Sequence, residues 1–69
     1  MITASKRLIQ IVENQQSIVA LAEKIRVAPG TLYNLINGKD ISTDVVAKIL
    51  NWTGLNFESA FDVQEESNK

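Results

Sequence analysis

Apolar residues recur along most of the chain at three- and four-residue spacings, the period of helices buried on one side. Ala4, Leu8, Ile11 and Val12 share one such face, with Thr3 placed to cap the helix that carries them. Asn14, Gln15 and Gln16 interrupt the period and read as a connection. Ser17 is the next capping candidate, followed by a second stripe of Ile18, Leu21, Ala22 and Ile25. Residues 26–28 form a short break. Pro29 then suits the first turn of a third helix, because its missing N–H had no partner there in any case. That helix runs to about Asn37, with Leu32, Leu35 and Ile36 inward, and Gly38 closes it in the left-handed conformation. Residues 39–42 read as a loop. A fourth helix starts near Ser42 or Thr43, with Asp44 complementing its dipole and Val45, Val46, Ile49 and Leu50 as its apolar face. Gly54 stops it. Asn56 caps a short fifth helix, whose Phe57, Ala60 and Phe61 fold back onto the core. No stretch alternates with the period of a strand, and there is no internal repeat. The expectation is an all-α domain of five helices over residues 1–62, followed by a polar, disordered tail over residues 63–69.

With 69 residues there is room for one domain with a small core. The chain has no cysteine and no histidine. Disulfides and thiolate-bound zinc are therefore ruled out, along with the commonest metal ligand and the commonest general base. No nucleophile–base pair, metal set or glycine-rich phosphate loop is visible, so neither an enzyme nor a metal, cofactor or small-molecule ligand is expected. An apolar share of 45% and a charged share of 22% are those of a globular protein. The apolar run over residues 18–22 falls far short of the roughly 18 residues that span a membrane. No leader pattern appears either, which leads to a cytoplasmic expectation. Net charge is −1, with 7 cationic and 8 acidic side chains. From Asp62 onward three acids face one lysine, so residues 1–61 are nearly balanced at six cations to five acids. That is well short of the basic footprint of many nucleic-acid binders.

The informative stretch covers roughly residues 17–37, two short helical patterns separated by three residues. Helices joined so tightly cross at about 90–120° to share a core, and need a small residue where their backbones meet. Ala22 is placed for that contact, with Leu21, Ile25, Val27, Leu32 and Leu35 pinning both helices and the turn. The pattern Leu21-Ala22-Glu23-Lys24-Ile25, then Val27, Thr31-Leu32, Leu35 and Asn37-Gly38, resembles the helix-turn-helix of phage repressors of the Cro/CI-like, XRE-type family. Ala47-Lys48-Ile49-Leu50 and Gly54-Leu55 extend the likeness over about residues 5–61.

The resemblance implies a compact five-helix, lambda-repressor-like domain with a central helix-turn-helix, encoded by a bacterium or phage. It implies base-facing roles for Ala28, Pro29, Gly30, Tyr33, Asn34 and Asn37, and phosphate contacts for Gln16, Ser17, Thr31 and Lys39, with Thr31 equally able to face inward. The partner implied is double-stranded operator DNA, bound by a homodimer with half-site centres about 34 Å apart. Trp52, Phe57 and Phe61 are the dimer material expected. Two positions depart from the family pattern. Arg26 stands where the turn commonly has glycine, and Ile18 where a phosphate-clamping glutamine is frequent. The competing reading is a protein-interaction module, an antitoxin or adaptor on the same fold. It draws on the acidic pI of 5.2 and on the lack of side-chain donors at Ala28, Pro29 and Gly30.

Overall fold

Short polar side chains set the starts of three of the five helices. In the computed structural model, which describes residues 1–64, these are α1 (Lys6–Glu13), α2 (Ile18–Ile25), α3 (Pro29–Ile36), α4 (Thr43–Thr53) and α5 (Phe57–Ala60). Ser17 Oγ accepts from Ala20 N–H at 3.1 Å to open α2, and Asn56 Oδ1 accepts from Ser59 N–H at 2.9 Å to open α5. At α1 the cap is Ser5, whose Oγ accepts from Leu8 N–H at 3.2 Å. Thr3, expected in that role, lies two residues upstream and is buried in a strand.

The fold is mostly helical, with five helices as expected, and that strand adds a small two-stranded sheet that was not. β1 (Ile2–Ala4) pairs antiparallel with β2 (Phe61–Val63), matching Ile2 to Val63, Thr3 to Asp62 and Ala4 to Phe61. Beyond the pair, Gln64 N–H donates to the Met1 carbonyl at 2.7 Å. Val63 and Gln64 are thus tied down rather than part of a free tail, and a domain edge at residue 62 would cut through β2. The rest of the expected tail, residues 65–69, lies outside the described residues. Three-residue strands are too short to display a two-residue period, and their partners come from opposite ends of the chain. The other edge of β1 is also used. Ile2 N–H donates to Asp40 Oδ1 at 2.9 Å, and Ile41 N–H donates to the Ile2 carbonyl at 2.8 Å. The loop after α3 is therefore held by the start of the chain, and Ile41 is buried within it.

The core gathers one stripe from each helix: Leu8 and Val12 from α1, Leu21, Ala22 and Ile25 from α2, Leu32 and Leu35 from α3, Val46 and Ile49 from α4. Ala60 and Phe61 close it from the C-terminal side. Phe57 and Phe61 stack with ring centroids 5.6 Å apart. Phe61 is only 2% exposed, which removes it from the expected dimer surface, while Trp52 and Phe57 remain half-buried. α3 rests on α2, α1 and β1, whereas α4 packs principally against α2.

The turn between α2 and α3 carries the one strained backbone position among the described residues. Arg26 sits at φ 64°, ψ 50°, the left-handed region, where a side chain crowds the following carbonyl. Glycine escapes that crowding but loses more entropy on folding. An Arg26→Gly variant is expected to gain about 0.5–1 kcal/mol of stability, read as a melting temperature higher by several degrees.

Candidate nucleic-acid interface

α3 is divided cleanly between an inner and an outer face. At about 100° per residue, Leu35, Leu32 and Ile36 occupy one side, with Thr31 on its flank. Leu32 and Leu35 are fully buried, and Thr31 and Ile36 are half-buried. Pro29, Tyr33, Asn37, Gly30 and Asn34 fall in one continuous arc of about 140° on the opposite side. All five are exposed, Tyr33 at 50%. Ala28, also exposed, precedes them as the N-cap. Five of the six residues expected to face bases therefore lie on one arc, and Ala28 borders it only as the exposed residue before the helix.

The chemistry of that surface is neutral. Asn34 and Asn37 each offer a paired amide donor and acceptor, and Tyr33 a ring with a hydroxyl. Cβ-sized space at Gly30 is empty, so nothing inside the fold demands a glycine there. Its absence of a side chain keeps the start of the helix open. Few backbone donors are on offer at that start, because Pro29 has none and Thr31 N–H already donates to the Ala28 carbonyl at 2.9 Å. Gly30 N–H is left as the free donor of the three.

The four residues expected at phosphates separate into different settings. Gln16 and Ser17 line an open concavity of about 390 Å³ between the end of α1 and α2. Asn14, Gln15 and Lys24 line the same hollow, with Ala20 and Leu21 beside them. Ser17 Oγ already accepts from Ala20 N–H, and Gln15 Nε2 donates to the Ile11 carbonyl at 3.1 Å. Lys39 is exposed in the loop that follows α3, and its own N–H donates to the Asn34 carbonyl at 2.9 Å. Thr31, by contrast, stands beside the inner face of α3 and not on the exposed arc.

The sequence pattern does not single out Asn14, and it favours solvated surface over phosphate contact for Lys24. Asn14 falls in a connection and Lys24 looks like any solvated helix lysine, so only the folded corner brings them together. Ile18, where the family pattern has glutamine, packs half-buried against the core, while Val19 beside it is 51% exposed. Among the described residues no group of histidine, cysteine or carboxylate side chains is placed to hold a metal, and no helix is long and apolar enough to cross a membrane. Comparison with family models, with curated proteins and with solved structures yields no match to the chain.

Proposed function

We propose that this chain is a sequence-specific DNA-binding regulator, a compact repressor of the Cro kind, which lays α3 in the major groove. The observation that carries the reading is the outer arc of α3, with Tyr33, Asn34 and Asn37 opposite fully buried Leu32 and Leu35. An exposed helix face of this width fits a groove about 12 Å across, and an asparagine amide can pair with the N6/N7 edge of adenine. The likeness of residues 5–61 to the phage-repressor family supports the same assignment, with α2 and α3 as its helix-turn-helix. In this reading Gln16, Ser17 and Lys24 meet one phosphate run at the α1–α2 corner, and Lys39 meets another beyond α3. Such contacts fix register, while the arc of α3 reads sequence. One module offers few base contacts, so two copies bind a palindromic site.

The second reading, a protein-interaction module, has two specific supports. The nearly balanced charge and the half-exposed Tyr33 and Val19 suit a protein surface as well as they suit DNA. Selection from random duplexes at low salt, followed by a salt titration of the enriched sequence, separates the two. The regulator is expected to enrich a palindrome and to lose about 0.9 log unit of affinity per log unit of salt for each phosphate neutralised. No enriched sequence, or a flat salt response, assigns the surface to a protein partner.

A further inference from the structure

We propose that Lys48, far from the outer arc in sequence, is a positioning residue for α3 that acts through the Arg26 carbonyl. The inference rests on the reading of α3 as the groove-facing helix. The turn over residues 26–28 fixes the direction of α3, and its first residue is the strained one. Two backbone donors of this turn are used internally, since Arg26 N–H and Val27 N–H both donate to the Ala22 carbonyl, the latter at 2.9 Å. The Arg26 carbonyl is left projecting from the end of α2. Lys48 Nζ donates to it at 2.8 Å.

The backbone that carries this donor is well anchored, while the bond itself lies at the exposed surface. Lys48 lies on α4 between buried Val46 and fully buried Ile49, so its backbone cannot move without opening the core. Its ammonium sits at the C-terminal end of α2, where carbonyls lack partners and the helix dipole is negative. Because α4 packs principally on α2 and not on α3, this bond is the polar strut that joins α4 to the turn.

Geometry sets how much a loose turn costs. Asn34 lies five residues into α3, about 7.5 Å along the helix from Pro29. A swing of roughly 10° at the turn displaces it by more than about 1 Å, beyond the tolerance of a hydrogen-bonded site. Contacts to phosphate from flexible side chains tolerate such a shift better than a paired amide on a base edge. Loss of the strut therefore falls on discrimination between sequences more than on general affinity.

The test compares Lys48→Met, which keeps the stem and removes the donor, with Lys48→Arg, which restores a donor. Without DNA, amide exchange at Arg26 and Val27 is expected to speed up about tenfold in Lys48→Met, with the amides of Leu35 and Ile49 unchanged. With DNA, preference for the selected site over random duplex is expected to fall about tenfold, while affinity for random duplex stays within about twofold. Lys48→Arg is expected to restore both readouts. Unchanged exchange at Arg26 and Val27 overturns the proposal, and so does a loss of preference that arginine does not restore. If the unaltered protein selects no sequence, the groove reading of α3 falls, and the exchange measurement alone decides whether Lys48 holds the turn.

Discussion

An Ala22→Leu variant is expected to lose about 1–3 kcal/mol of stability, enough to lower its melting temperature by roughly 5–20 °C. Ala22 has no exposed surface and lies in the core between α2 and α3. In a corner this tight a small residue is needed where the two backbones meet, and fully buried Ala22 is the residue expected to fill that place. Its carbonyl also accepts both N–H groups of the following turn, so the added atoms have no empty space to enter without moving that turn. A domain of this size has about 3–10 kcal/mol in total, so a substantial part of it is at stake. Thermal unfolding followed by circular dichroism gives the answer. An unchanged midpoint would mean that α2 and α3 do not nest at Ala22, and the placement of the outer arc would lose its foundation.

The second large effect concerns recognition and should leave the fold alone. Asn34 is exposed and faces away from the core, so Asn34→Ala is expected to shift stability by no more than about 0.5 kcal/mol. Its affinity for the selected sequence is expected to drop by about 1–3 kcal/mol, with preference relaxed at a single base position and affinity for random duplex unaltered. A repeat of the selection with the variant reads this directly. A uniform loss over all sequences would make Asn34 a phosphate contact, and no loss would leave base reading to Tyr33 and Asn37.

Much of the helical framework was legible because it rests on short-range chemistry. Ser17, Asn56 and Gly54 act on their own neighbours, and Leu32 with Leu35 declares the inner face of α3 from spacing alone. The outer arc followed, since residues that are not on the inner stripe must face out. Thr3 differs from its expected place for the same local reason. Its hydroxyl is as good a cap as that of Ser5, and nothing within a few residues shows that β2 arrives from the far end of the chain to claim it. Ile41 likewise looks like a loop residue until Ile2 and Asp40 are seen to hold that loop against the core.

The period of apolar side chains and the capping residues, read one turn at a time, determined five helices and most of what each buries, although Ala4 lies in β1 and Ile9 packs on the core where Ile11 was expected. Only the tertiary structure decided that the two ends of the chain pair as strands, that Asn14 and Lys24 share a hollow with Gln16 and Ser17, and that Lys48 reaches the Arg26 carbonyl. The physical reason is one of range. Helical hydrogen bonds and caps act within four residues, so sequence neighbours specify them. A strand pair or an ammonium–carbonyl contact depends on segments whose separation in space is set by how the whole core packs.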